Sequence, residues 1–387
     1  MIEVPQALED AAWRAAAAEL GDAALADAAL GRAIVDRSAR YTTDRAHLAT
    51  AADPRGDLAA RATFFTVADA MKVSVPLREL ANRDALPARR PLRVIDVGAG
   101  CGAMTLGALA ALPDRDLDVT AIDRDAAALR IAARAVAEYG GPRVRFAARA
   151  GELRALGGVG PAELIVLGSV LNELADAAAR DAAIAAALAA ITDDGAVVVV
   201  EPASRDCARA LHAARDAAIA RGAHVFAPCT RTAAPCAALA DARDWCHEDR
   251  AVALPARTRE LARRTHLRDG GLRFAYVVLR RQPLGLVDLH SATLRVAARP
   301  GGAGAIESSH AWRVVSAPRP DKGKLELYGC SDAGRVPLRR LRRHRAPDNA
   351  AIERADRGDV LVVDASVADG RVEVTAETVV TRLTPAK

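Results

Sequence analysis

Two sets of residues in this chain have types and spacings that could do chemistry. The first is Asp96-Val97-Gly98-Ala99-Gly100-Cys101-Gly102, where an apolar run, Val94 to Val97, meets three alternating glycines and a helical pattern begins near Met104. Glycines at a strand-to-helix turn let a ligand approach the backbone closely and allow positive φ. Asp123 closes the next apolar run, Val119–Asp123, 27 residues beyond Asp96. A carboxylate there can accept both hydroxyls of a ribose. The second set is cysteine: Cys101, Cys207, Cys229, Cys236, Cys246 and Cys330. Three of them form Cys229-x6-Cys236-x9-Cys246 in a stretch rich in turn residues, with Pro228, Pro235, Trp245 and His247 beside them. Free cysteines are commonly small buried hydrophobes, but a polar loop suits three inert core thiols poorly, so we expect metal ligation. Four thiolates hold either tetrahedral zinc or an iron–sulfur cubane. Close C-x2–4-C knuckles are missing here, and the wide, irregular spacing suits a cluster better. Cys207, nearer in sequence, and Cys330 compete as the fourth ligand, with His224 and His247 as substitutes.

Such residues work only if the chain positions them at one rim. Apolar, β-branched runs occur at Arg93–Val97, Asp118–Ile122, Arg143–Phe146, Leu164–Leu167, Ala196–Val200, Ala223–Phe226 and Leu272–Leu279, the first six separated by Ala-rich helical patterns. Strands alternating with helices predict an α/β fold with a doubly wound, mostly parallel sheet. Ligands bind at the carboxyl ends of such strands. That makes Ser169, Asn172 and Glu173, after the fourth run, candidates for the pocket floor, with Glu201-Pro202 on the same rim. Residues 1–90 read as a helical N-terminal domain, with Ala12 to Val35 broken at Gly21 and Gly31, and Leu58 to Leu80 at helical spacing. The sheet domain is expected over 91–282, with a cysteine-bearing insertion at 228–250. Residues 283–387 read as a small β-rich basic domain, with short pieces at Val287–Val296, Trp312–Ser316, Leu325–Gly329, Val360–Val363 and Val372–Val380.

Charge and composition narrow the function classes. The net charge of +5 splits into +1 over residues 1–284 and +4 over 285–387. Within Arg335–Arg345 there are six Arg, one His and no acid. This density attracts phosphates, and Arg339, Arg340, Arg342, Arg343 and Arg345 are the candidate RNA-binding residues. The longest apolar run, Ala183 to Ile191, is far below the ~20 residues of a membrane span. No basic start precedes an apolar stretch at the N-terminus, so the expected compartment is the cytoplasm. The abundance of Ala and the scarcity of Lys (Lys72, Lys322, Lys324, Lys387) read as compositional bias rather than function.

The G-x-G-x-G spacing preceded by an acid departs from the dinucleotide fingerprint G-x-G-x-x-G. It resembles the first motif of class I S-adenosylmethionine methyltransferases, with Asp123 in the second-motif position. That resemblance implies that Asp96 faces the methionine moiety, that Gly98, Gly100 and Gly102 line the cofactor, that Asp123 binds the ribose, and that Glu152 stands beside the adenine. No Asn-Pro-Pro-Tyr or Asp-Pro-Pro-Tyr tetrapeptide is present, so the methyl acceptor and the catalytic residues are not legible. The glycine turn, Leu171-Asn172-Glu173-Leu174, Pro228-Cys229, Pro235-Cys236, Trp245-Cys246-His247 and Cys330-Ser331-Asp332-Ala333-Gly334 before the basic run together resemble the methyltransferase-like family associated with the small ribosomal subunit. Membership would imply a methyltransferase fold, a [4Fe–4S] cluster on Cys229, Cys236, Cys246 and Cys330, and a role in small-subunit assembly through ribosomal RNA. The same fold could instead serve a non-catalytic, RNA-binding assembly factor stapled by its cluster. A radical enzyme is disfavoured, because C-x3-C-x2-C is absent and the four matched thiols would all be ligands.

Overall fold

The structure, a computed structural model, describes residues 1–42, 51–268, 271–286 and 310–383. A short strand, β1 (Ile2–Glu3), leads into helices α1 (Gln6–Leu20) and α2 (Asp27–Thr42). The chain breaks at Gly21, whose φ is 73°, whereas Gly31 sits inside α2, where a Cβ would meet open space among the described residues, so only the first of the two expected breaks exists. A second helical stretch consists of α3 (Pro54–Ala60), a π-helical turn at Arg61–Phe65, α4 (Thr66–Asp69), a 3-10 turn at Ala70–Lys72 and α5 (Ser74–Ala81).

The central sheet is built from β2 (Leu92–Val97), β3 (Leu117–Asp123), β4 (Val144–Ala150), β5 (Ala162–Gly168), β6 (Ile191–Pro202) and β7 (His224–Ala227). Helices α6 (Ala103–Ala111), α7 (Ala126–Gly140), α8 (Ala177–Ala190) and α9 (Arg205–Ala220) alternate with them. After β8 (Glu248–Arg250), β9 (Val252–Ala253) and α10 (Ala256–Thr265), strand β10 (Leu272–Arg280) inserts antiparallel between β6 and β7. The order β4-β3-β2-β5-β6-β10-β7, with parallel pairing from β4 to β6, is the class I methyltransferase fold. Alternation along the strands explains the layers. Val94, Val166, Val198 and Val200 pack under α1, α6, α7 and the helical stretch 54–81. Ile95, Ile165, Leu167, Val197 and Val199 pack under α8 and α9. Strand β9 pairs with β1, which ties the start of the chain to the segment before α10.

The C-terminal region is a second sheet of β11 (Ala311–Val314), β12 (Arg319–Asp321), β13 (Lys324–Ser331), β14 (Gly334–Leu341), β15 (Val360–Val363), β16 (Val367–Ala368), β17 (Arg371–Val374) and β18 (Val380–Leu383). Its core gathers around the fully buried Trp312. The expected piece Val372–Val380 is two strands, β17 and β18, parted by Thr375–Thr378 hydrogen bonding. The piece Val287–Val296 lies outside the described residues. The basic run is divided: Arg335 to Leu341 forms most of β14, paired with β13 on one side and β17 on the other, and Arg342 to Arg345 follow in a turn. Among the described residues, no helix is long and apolar enough to cross a membrane.

Candidate functional site

The carboxyl ends of β2, β3, β5 and β6 open on a cavity of about 1200 Å³, closed from above by α2 and the 54–72 stretch. Gly98 and Gly100 line it with φ of 68° and 52°. A Cβ on Gly98 would sit 2.5 Å from Val170 Cγ2, so both the backbone geometry and the close approach require glycine. Asp123 organises this turn: one carboxylate oxygen accepts the Gly100 N–H at 2.8 Å and the other the Asp125 N–H at 2.8 Å. Glu152, Ser169 and Glu173 also line the cavity, Ser169 with φ 59°.

Three residues expected at the cofactor lie elsewhere. Asp96 is buried and turns to the first turn of α6, where Oδ2 accepts the Thr105 N–H at 3.1 Å and the Thr105 hydroxyl at 2.7 Å. Burial raises its pKa to about 7. Gly102 faces away from the cavity and toward α7, with Ala132 3.2 Å from where its Cβ would be. Asn172 lies under the rim beside Glu201, whose two oxygens accept the Leu171 and Asn172 N–H groups at 2.9 and 3.1 Å. Glu201 thus caps the 3-10 turn at Leu171–Glu173, and burial raises its pKa to about 7.

Sequence reasoning missed the roof of the cavity. Arg61, in the π-helical turn, reaches Asp125 at 2.5 Å, and its Nη2 lies 3.5 Å from the Cβ position of Gly100. Arg37 forks onto Asp57 at 2.9 Å through both oxygens and donates to the Tyr41 hydroxyl, which donates to Glu173 at 3.0 Å. On the far wall, Asp69 accepts from Arg268 at 2.9 and 3.1 Å and pairs with Lys72 at 3.0 Å. Burial lowers the Lys72 pKa, while Arg268 and Lys72 hold the Asp69 carboxyl well below the usual range despite its burial. Residues so far apart in sequence carry no local signature; the switch from α to π geometry that aims Arg61 is invisible in a helical pattern.

The cysteines separate into groups. Cys101 lies in the glycine turn and lines the cavity; burial pushes its thiol up to about 11. Cys207 is buried in the first turn of α9. Cys229, Cys236, Cys246 and Cys330 come together where the 228–247 loop meets the end of β13. Burial raises the Cys246 thiol, and Cys236, Cys229 and Cys330 raise it further. The same causes push Cys236 to about 11 and Cys330 to about 12. Helix α9 holds the loop. Arg209 Nη1 donates to the carbonyls of Ala238, Asp241 and Asp244, Arg215 to those of Arg231 and Ala233, and Asp216 accepts the Cys236 N–H at 2.8 Å. The β-rich sheet completes the site. Thr230 donates to the Cys330 carbonyl at 3.0 Å, Arg231 to the Asp332 carbonyl at 2.7 Å, and Arg335 pairs with Asp244 at 2.6 Å. His247 stacks on Trp245 with ring centroids 5.5 Å apart, and His224 opens β7. Among the described residues, no three His, Cys, Asp or Glu side chains converge tightly enough for a single metal ion.

The arginine run is partly neutralised by acids from other elements. Arg339 pairs with Glu373 at 2.6 Å, and Arg345 with Glu353 at 3.0 Å. Arg340 is buried, bonded to Asn349 and Glu353, and so is not available to a phosphate. Alternation in β14 explains this, since every second side chain points inward. Arg342 and Arg343 are exposed in the turn after β14.

Comparison with known proteins adds the following. The sequence model of the family described as "Mitochondrial small ribosomal subunit Rsm22" matches residues 59–360. No curated protein matches. Among solved structures, magnesium protoporphyrin IX methyltransferase from Synechocystis, with bound S-adenosylmethionine, is 12% identical, with a TM-score of 0.36, over 64% of this chain and 95% of that one. TrmN from Thermus thermophilus is 19% identical with a TM-score of 0.34, over 55% and 52%. A TehB-like methyltransferase from Corynebacterium glutamicum is 20% identical with a TM-score of 0.32, over 53% and 88%.

Proposed function

The chain belongs to the family of the mitochondrial small ribosomal subunit protein Rsm22, and from that premise we propose that it is an S-adenosylmethionine-dependent methyltransferase acting on small-subunit ribosomal RNA. The observation that carries this reading is the rim: two positive-φ glycines and Asp123 at the crevice between β2 and β3, under a cavity of about 1200 Å³. Small-ligand pockets run to roughly 300–1,000 Å³, so the space suits a nucleoside cofactor together with an acceptor base. Asp123 keeps lone pairs for ribose hydroxyls after taking its two N–H groups, and Glu152 stands on the adenine side. Methyl transfer from a sulfonium depends on in-line placement more than on acid–base groups. Ser169 and Glu173 border the place where the acceptor would sit, while Lys72 and Arg268 supply positive charge on the opposite wall.

In the same reading Cys229, Cys236, Cys246 and Cys330 hold a [4Fe–4S] cluster. Three thiols from the 228–247 loop and one from β13, close enough to raise one another's pKa, are the kind of donor set such a cluster takes. It would staple the β-rich sheet to the cysteine loop. Calorimetry on anaerobically isolated protein tests the cofactor, with one S-adenosylmethionine site per chain expected; no binding to cluster-loaded protein overturns the enzymatic reading. Metal analysis tests the cluster. Iron and acid-labile sulfide in equal amounts are expected, and stoichiometric zinc without sulfide would contradict it.

A further inference from the structure

A second cavity, of about 670 Å³, lies between the cysteine loop and the β-rich sheet, away from the glycine rim. We propose that it binds a single-stranded RNA segment, one base stacked on Tyr328 and the neighbouring phosphates held by Arg231, Arg319 and Arg357. This rests on the reading of the chain as an RNA-acting protein and assigns a surface where that RNA is gripped.

Charge is the first argument. Four arginines line the cleft: Arg231, Arg319, Arg335 and Arg357. Arg335 is neutralised by Asp244, and Asp241 pairs with Arg243. Arg231 and Arg357 are held by backbone carbonyls, of Asp332 at 2.7 Å and of His247 at 2.8 Å, which fixes their guanidinium groups without cancelling their charge. Arg319 is exposed and makes no side-chain hydrogen bond or ion pair among the described residues. Three positive charges therefore face one cleft in a molecule whose other arginines are mostly paired with carboxylates.

The ring is the second. Only 3% of the chain is aromatic, and among the described residues Tyr328 is the one aromatic side chain that counts as exposed, at 36%. Its strand is pinned on one side by the segment after β11, the Tyr328 N–H donating to Ser316 Oγ at 2.8 Å and its carbonyl accepting the Val315 N–H at 2.8 Å, and on the other by pairing with β14. A rigid, exposed ring flanked by uncompensated arginines is the arrangement that holds single-stranded nucleic acid through stacking and phosphate contacts. An acidic peptide would use the arginines and have no need of the ring. Cys236 also lines the cleft, so bound RNA would cover the edge of the four-thiol site.

The test uses the full chain, isolated anaerobically, and a fluorescent oligouridine RNA followed by anisotropy across salt. Tyr328→Ala is expected to weaken binding about tenfold, whereas Tyr328→Phe keeps it. Arg319→Ala/Arg357→Ala should reduce the salt slope by about 1.4, and Arg319→Ala alone, which disturbs no protein contact, by about half that. S-adenosylmethionine affinity should be unchanged in all four, which shows that they fold. If the parent protein binds RNA and neither Tyr328→Ala nor the arginine variants alter it, the cleft assignment falls while the RNA reading stands. If only the arginine variants matter, the site attracts anions without reading a base, and the stacking assignment is overturned. If the parent protein binds neither the oligonucleotide nor purified small subunits, the RNA reading falls and the cleft assignment with it.

Discussion

Asp123 and Asp96 are both acids beside the glycine turn, and they differ in what burial leaves free. Asp123 faces the cavity and also holds the turn through Gly100 and Asp125. Asp123→Ala should weaken S-adenosylmethionine binding by roughly 1–3 kcal/mol, as read by calorimetry, through loss of charge-assisted bonds. Asp96 turns inward to Thr105, with Oδ1 buried and without a hydrogen-bond partner among the described residues. Its folded pKa, about 7, lies above the unfolded value, so the native state binds the extra proton. This contribution to stability is full below the unfolded pKa, near 4, and is lost as pH rises toward 7. Urea unfolding should therefore show stability falling from pH 5 to 7.5. Asp96→Asn, which keeps an acceptor for Thr105 and cannot titrate, should flatten that fall by roughly 1–4 kcal/mol; an unchanged slope would place the proton elsewhere. The motif spacing located both acids near the turn. The resemblance put both at the ligand, whereas Asp96 turns to Thr105, because its direction depends on how α6 docks against β2.

Elements were legible where alternation or helical period was strong. All seven strand runs of the central sheet appear within a few residues of their expected bounds; the inner strands bury apolar residues on both faces, and the edge strand β4 half-buries Val144 and Phe146. β14 was read only as a basic patch, since Arg335, Arg339 and the adjacent Arg340 mask the alternation of Val336 and Leu338, and the buried Arg340 is paired by Asn349 and Glu353 from another element. The docking of the helical stretch onto the sheet domain was not legible either. It runs through Gly107 of α6, where a Cβ would lie 1.9 Å from the Ala70 carbonyl oxygen. Gly107→Ala should cost more than about 2 kcal/mol in urea unfolding, because a backbone oxygen cannot step aside as a side chain does. A near-neutral effect would mean that the two helices do not touch there. The clamp of α9 on the cysteine loop makes a parallel claim: Arg209→Ala, losing four carbonyl contacts, should speed proteolysis within 228–247 while leaving S-adenosylmethionine affinity intact.

At the scale of the molecule, the contacts that join the sheets include two with testable consequences. One is the four-thiol site, which takes Cys330 from the β-rich sheet and the rest from the loop. Cys330→Ser should lose iron and Cys207→Ser should keep it; the reverse outcome would reassign the fourth ligand. The other tie is Arg313, buried between Glu79 of α5, Glu248 of β8 and the Tyr276 hydroxyl, at 2.7, 3.0 and 3.1 Å. Removing one partner of a buried ionic group typically costs about 3–5 kcal/mol, so Arg313→Met should destabilise the protein by about 3 kcal/mol, with Arg83 and Arg250 still beside the two glutamates. The central claim is methyl transfer at the glycine rim. Cluster-loaded protein incubated with methyl-labelled S-adenosylmethionine and purified small ribosomal subunits should label the RNA, and Asp123→Ala should abolish or strongly reduce that label. Intact protein that binds both the cofactor and the subunits yet leaves the RNA unlabelled would contradict it and make the chain a scaffold on a methyltransferase fold.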